Sequence, residues 1–93
     1  MLPPWTRLRT ALQEALPMLR AITHADAAQR TAPGKWSPKE IMGHLIDSAS
    51  NNHGRFVRAQ GLPGLRFDGY DQDHWVGAQQ YNRADWGDLV TLW

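Results

Sequence analysis

The sequence predicts an all-α protein, and two observations carry that prediction. Apolar residues recur at spacings of three and four, the period of an α-helix, in the N-terminal segment and again close to the C-terminal end. Residues typical of helix starts stand before three further segments, at Ser37-Pro38, Asp71 and Asp85. The chain has 93 residues, of which 42% are hydrophobic, enough for one small domain spanning residues 1–93 with a core of its own.

The first helix is predicted to begin at Trp5. Its apolar side chains form one stripe, consisting of Trp5, Leu8, Leu12, Ala15, Leu16, Leu19 and Ile22. Pro17 lies inside this pattern and has no backbone N–H, so we expect a kink or a break into two short pieces near Leu16. Residues 26–35, which include Ala-Pro-Gly, are predicted to form a loop.

The second helix has the strongest local pattern in the chain. Ser37 can cap the helix, Pro38 takes the first helical position, and Glu40 can reach back to the cap, which together make a capping box. The helix is expected to run to about Gln60, because Gly61-Leu-Pro-Gly follows. Residues 61–71 are predicted to be a connecting loop.

Two shorter helices are predicted towards the C-terminus. Asp71 can cap the first of them, and Asp85 can cap the next. The apolar residues of the last helix lie at i, i+3, i+4 and i+7, namely Trp86, Leu89, Val90 and Trp93. It reaches Trp93 without a terminating glycine, a closing cation or a polar tail, so we expect the chain to be truncated within this helix.

On the second helix, the spacing predicts two stripes. The face predicted to be buried consists of Ile41, Leu45, Ala49, Asn52, Phe56 and Ala59. Along one flank of that face lies a polar stripe, which consists of His44, Ser48, Asn51 and Arg55. Helical bundles build interior sites from such polar side chains on facing helices.

Three polar residues of this helix leave two interpretations open. His44 is either a half-buried histidine hydrogen-bonded to a neighbour or a metal ligand. Asn52 is either a buried amide satisfied by the backbone or the floor of a ligand pocket, and Arg55 is either ion-paired or an anion binder. His53 cannot share a metal with His44, because nine residues of helix point the two rings to opposite sides.

Composition limits the function classes. A net charge of +1, from 10 Lys and Arg against 9 Asp and Glu, offers no basic surface for nucleic acid. Without cysteine, any metal must be held by histidine and carboxylate. No apolar stretch approaches the roughly 20 residues that span a bilayer, and no signal peptide is recognisable, so we expect a cytoplasmic protein without membrane contact.

Three segments closely resemble one protein family. They are GKWSPKEIMGHLIDSASNNHGRFVRAQ at 34–60, YDQDHWVGAQQY at 70–81 and WGDLVTLW at 86–93. All three are similar to the DinB-like superfamily, which includes YfiT-type metal-dependent enzymes. The resemblance implies a four-helix bundle with a divalent metal, commonly nickel or zinc, held by three histidines. The Gly-His-Leu ligand position matches His44, and the other two histidines belong to a fourth helix that this sequence lacks.

The resemblance implies a metal-dependent enzyme of the thiol-dependent transferase or hydrolase type, incomplete in this chain. Its substrate pocket would consist of Ser48, Asn51, Asn52 and Arg55, with His44 on the metal. The alternative is a non-catalytic helical module. In both cases the apolar face near Trp93 predicts a homodimer that completes the bundle.

Overall fold

A computed structural model of the chain confirms the all-α prediction. It describes residues 3–61, 64 and 69–93, among which there is no β-strand. Residues 62–63 and 65–68 of the loop predicted at 61–71 lie outside the described residues. The described helices are α1 (Pro4–Ala21), α2 (His24–Ala27), α3 (Pro38–Gly61), α4 (Gln72–Gln79) and α5 (Trp86–Leu92), with a 3-10 helix at Tyr81–Arg83. None of these helices combines the length and apolar character that crossing a membrane requires.

α1 continues through Pro17, so the break into two pieces does not occur, while the alternative of a kink stays a prediction. The C-terminal end of its apolar stripe packs against the core through Leu16, Leu19 and Ile22. Leu16 precedes the proline and the other two residues follow it. Their packing offsets the loss of the hydrogen bond that proline cannot donate. The N-terminal end of the stripe stays exposed, with Trp5 64% and Leu8 61% accessible.

α2 was not predicted. It occupies His24–Ala27, so the predicted loop at 26–35 begins two residues too early. The Thr23 hydroxyl oxygen accepts a hydrogen bond from the backbone N–H of Asp26 at 3.1 Å and caps this single turn. Ala27 is fully buried. The Thr-x-x-Asp spacing at the cap was the available sequence indication.

The predicted helix starts are confirmed. At α3, the Glu40 backbone N–H donates to Ser37 Oγ at 3.2 Å, and the Ser37 N–H donates to Glu40 Oε1 at 3.1 Å. This is the reciprocal geometry of a capping box. Asp71 accepts from the His74 N–H at 3.1 Å to cap α4, and Asp85 accepts from the Asp88 N–H at 2.9 Å to cap α5.

The core forms where α3 meets α4, the 3-10 helix and α5, while α1 packs on α5. Its buried apolar residues are Ala27, Met42, Val76, Tyr81, Trp86, Leu89 and Val90. Three of the four apolar residues predicted for the last helix are therefore buried, whereas Trp93 is 39% accessible. The Trp86 indole N–H donates to the Leu19 carbonyl at 2.7 Å and ties α5 to α1.

The predicted buried face of α3 is wrong. Ile41 is 48%, Leu45 41% and Phe56 70% accessible, and the other members of that face are exposed as well. The residues of α3 that are buried are Lys39, Glu40, Met42, Gly43 and Asp47. At about 100° per residue the true buried face is turned by about 180° from the predicted one. Neighbouring elements pack on this side because its glycine admits them closely and its polar groups find hydrogen-bond partners.

Acid should weaken the N-terminal end of α3 through Glu40. The carboxylate accepts from Arg30 Nε at 2.8 Å and Nη2 at 3.0 Å. The hydrogen bonds from Arg30 hold the pKa of Glu40 below its ordinary value of 4.5. The folded state therefore binds fewer protons than the unfolded state in this range, and stability rises with pH. The stabilisation from ionised Glu40 is complete above its ordinary pKa of 4.5. It is lost as the pH falls through the lowered pKa of the folded state.

Urea unfolding measured at several values between about pH 3 and pH 6 would check this expectation, because that range brackets the ordinary pKa of a glutamate. Glu40→Gln keeps a side chain able to cap but removes the charge. We expect the variant to lose about 1 kcal/mol or less at pH 6, since Arg30 is half exposed, and to show a shallower acid slope. Parallel pH profiles for the two proteins would contradict the assignment.

Candidate functional site

The polar stripe of α3 lies between its buried face and its exposed apolar face. His44, Ser48, Asn51 and Arg55 are all half-buried. The exposed apolar face consists of Ile41, Leu45, Ala49 and Phe56. The stripe is thus accessible from one side and supported by the core on the other, which is a suitable position for groups that bind a ligand.

His44 is held by an aromatic neighbour. Its ring centroid lies 5.0 Å from that of Trp36, with the planes tilted by 41°. The Nδ1 atom is buried and has no hydrogen-bond partner among the described residues. Nδ1 is therefore not among the accessible atoms of this half-buried residue. A ligand that comes from solvent reaches the ring at atoms other than Nδ1.

Ser48 and Arg55 are brought together by Tyr70, which the sequence analysis did not identify as a site residue. The Ser48 Oγ and Tyr70 hydroxyl oxygens lie 2.5 Å apart in a hydrogen bond. The Arg55 guanidinium carbon lies 5.9 Å from the Tyr70 ring centroid, within the range of a cation–π contact. Trp75 packs edge-on against the same tyrosine at 5.6 Å. Tyr70 precedes α4, where no helical period could indicate it.

The two asparagines differ in their surroundings. Asn51 Nδ2 donates to the Asp47 carbonyl at 2.9 Å, one turn back along α3. Asn52 is exposed, and its Oδ1 accepts from Arg55 Nη1 at 3.3 Å. The interpretation of Asn52 as a buried amide is therefore wrong. Its role in a substrate pocket stays a prediction, as does that of Asn51.

Asp47 is a buried carboxylate that the sequence analysis missed. It is 2% accessible, and its Oδ1 accepts from the Tyr81 hydroxyl at 2.5 Å and from Gln79 Nε2 at 2.7 Å. Burial, followed by the hydrogen bond to Asp47, raises the pKa of Tyr81 above its ordinary value. The second oxygen, Oδ2, is buried without a partner among the described residues. Spacing alone gave no reason to expect an acid on the core side of α3.

A second buried polar group joins the start of α3 to the 3-10 helix. Lys39 is 1% accessible, and its Nζ lies 3.1 Å from His24 Nε2 and 3.3 Å from the Asn82 carbonyl, to which it donates. Asn82 also bonds to Ser37 Oγ and, through Nδ2 at 3.3 Å, to the Ala28 carbonyl. These bonds anchor the loop after α2 and lie apart from the polar stripe.

The described residues supply one candidate metal ligand in the polar stripe. Over residues 3–61, 64 and 69–93 there is no group of three histidine, aspartate or glutamate side chains that could hold a metal ion. His44 fits the role of a single ligand, because its ring packs against Trp36 and the residue is half-buried instead of enclosed in the core. A three-ligand site needs further donors from elsewhere.

Comparison with known proteins gives one match. The family model described as DinB superfamily matches residues 7–93, nearly the whole chain. No curated protein and no solved structure matches the sequence significantly.

Proposed function

The chain belongs to the DinB superfamily, and on that premise we propose that it contributes His44 to the divalent metal site of an enzyme. The observation that supports this most directly is the position of the imidazole. It lies half-buried at the edge of the exposed apolar face, packed against Trp36, with a buried Nδ1 that leaves the other side of the ring for a ligand. A bound nickel or zinc ion would lower the pKa of a coordinated thiol or water and so supply a nucleophile near neutral pH.

The rest of the polar stripe would bind the substrate. Arg55 brings a positive charge to the Tyr70 ring, and the paired hydroxyls of Ser48 and Tyr70 can donate to and accept from a polar substrate group. The exposed amide of Asn52 borders the same surface. This arrangement suits a small substrate that carries an anionic group, in a thiol-dependent transfer or a hydrolysis.

We propose that a second copy of the chain supplies one further ligand, its own His44. One imidazole binds metal weakly, whereas catalytic sites of this kind use three protein ligands and an open position. The exposed apolar face runs directly beside His44, with Ile41, Leu45 and Phe56 each at least 41% accessible. Two-fold pairing through this face would exclude apolar surface from water and bring two His44 rings to one interface.

Metal content and molar mass, measured on the same purified protein, test the proposal. We expect stoichiometric nickel or zinc by elemental analysis in a dimer by light scattering. His44→Ala should lose most of the metal, because the substitution removes the proposed ligand from both copies. His53→Ala is the matched control, since His53 is exposed on another side of α3, and it should retain the metal.

Metal retained by His44→Ala, or a metal-free wild type after growth and purification with nickel and zinc present, would overturn the metal assignment. A second candidate, the non-catalytic helical dimerisation module, is favoured by the exposed apolar face alone. For that function we expect a metal-free dimer that His44→Ala leaves unchanged. A strictly monomeric protein at high concentration would contradict the shared site and the module alike.

A further inference from the structure

Two buried side-chain atoms lack a hydrogen-bond partner among the described residues, and both lie on α3. They are His44 Nδ1 and Asp47 Oδ2. Buried polar atoms are almost always paired in folded proteins, so each unpaired one calls for an explanation. Asp47 Oδ2 can accept a hydrogen bond, and His44 Nδ1 can donate one if it carries the imidazole proton.

Helix geometry places the two side chains side by side. Residues three apart on an α-helix are neighbours, separated by about 60° around the axis and about 5–6 Å between Cβ atoms. His44 belongs to the polar stripe and Asp47 to the buried face, so the carboxylate lies on the core side of the ring. The buried Nδ1 is on the inaccessible part of that ring.

We propose that Asp47 is the positioning residue of His44, with Oδ2 accepting the Nδ1–H proton. The structure has no hydrogen bond between the two atoms, so the pair forms by rotation of the His44 side chain while Asp47 keeps its two bonds at Oδ1. Formation satisfies both unpaired atoms at once. It also fixes the neutral imidazole as the Nδ1–H tautomer, which leaves Nε2 unprotonated as the nitrogen that faces a ligand.

The carboxylate is well held for this role. The Tyr81 hydroxyl and Gln79 Nε2 both donate to Oδ1, from the 3-10 helix and from the last residue of α4. These two bonds hold Oδ1 towards α4 and the 3-10 helix. Oδ2 is then the oxygen that can accept from a donor on α3 itself. Only the use of Nε2 as a metal ligand rests on the proposed function. The tautomer of His44 is a property of the metal-free chain.

The tautomer can be read from nitrogen chemical shifts of the full chain labelled with ¹⁵N-histidine, recorded where the imidazole is neutral. His44→Gln identifies the signal of this residue. We expect wild-type His44 to be mainly the Nδ1–H tautomer. In Asp47→Asn the two donors keep the amide oxygen at the Oδ1 position, so the amide NH2 faces His44, and the majority tautomer should invert to Nε2–H.

Tyr81→Phe is the matched control. It removes one donor to Oδ1 and perturbs the same buried cluster, but it leaves the Oδ2 acceptor in place. We expect His44 to stay mainly Nδ1–H in this variant, so a general loosening of the core cannot imitate the inversion. An Asp47→Asn protein that folds and keeps the Nδ1–H majority would overturn the proposal.

If Asp47→Asn does not fold, the tautomer of His44 in the wild-type chain still tests the proposal. A majority of Nε2–H in the wild-type chain would show that Oδ2 does not receive the proton. Failure of the proposed function looks different. In that case the protein is metal-free while His44 still shows the Nδ1–H tautomer set by Asp47.

Discussion

Gly43→Ala is expected to cost the protein about 3 kcal/mol of its free energy of unfolding, the upper end of the usual range for overpacking, because the site has no room to relax. Gly43 is buried in α3 with the Tyr81 ring against its backbone. A Cβ atom at this position would overlap three carbon atoms of that ring. The ring cannot simply move aside, because its hydroxyl is hydrogen-bonded to Asp47. Displacing it would break that bond and open the core.

Gly54→Ala provides the matched control within the same helix. The nearest atom to a Cβ there is Arg58 Nη2 at 3.7 Å, an ordinary van der Waals contact. Alanine is a better helix former than glycine, so Gly54→Ala should stabilise the protein by up to about 1 kcal/mol. Urea unfolding monitored by circular dichroism measures both. Equal stabilities for the two variants would show that Tyr81 does not pack on Gly43.

Trp86→Ala is expected to destabilise the protein by about 3–5 kcal/mol, the usual cost of emptying a buried aromatic site. Trp86 is 4% accessible and belongs to the core cluster. Its indole N–H also satisfies the Leu19 carbonyl at the end of α1, at 2.7 Å. The substitution therefore removes apolar contact and a bond between two helices together. Small domains have a total stability of roughly 5–15 kcal/mol, and at the lower end of that range the substitution removes most of the free energy of unfolding.

Two further variants separate these contributions. Trp86→Phe keeps most of the apolar volume and removes only the indole hydrogen bond, because the Leu19 carbonyl still accepts from the Ile22 N–H at 3.2 Å. We expect a loss of about 0.5–1.5 kcal/mol. Trp93→Ala changes a tryptophan of the same segment that is 39% accessible, and should cost less than about 1 kcal/mol. A Trp86→Ala protein as stable as Trp93→Ala would contradict the packing of α5 against α1.

The starts of the longer helices could be predicted because they depend on a few adjacent residues. The capping box at Ser37 and Glu40 and the caps at Asp71 and Asp85 form bonds within three residues of the cap. The same locality explains why α2 was detectable in principle from Thr23, although it was missed. Family membership was likewise legible from short contiguous segments, and the family match over residues 7–93 confirms it.

Pro17 shows where local reasoning fails. A proline inside a helix removes one donor whatever the rest of the chain does. Whether the helix then breaks depends on what its neighbours gain by packing, and Leu16, Leu19 and Ile22 pack against core residues far along the chain. Periodicity records the stripe but not the presence of a partner for it.

What the sequence determined by itself about this protein is its helical class, its helix starts, its family and the polar stripe that holds His44. Only the tertiary structure decided which face of α3 is buried and which residues surround the stripe. Hydrophobicity identified the side with Ile41, Leu45 and Phe56, yet the core formed on the opposite side. The physical reason is that burial depends on partners. Gly43 admits the Tyr81 ring, and the same tyrosine together with Gln79 satisfies Asp47, through contacts more than thirty residues apart that no local pattern records.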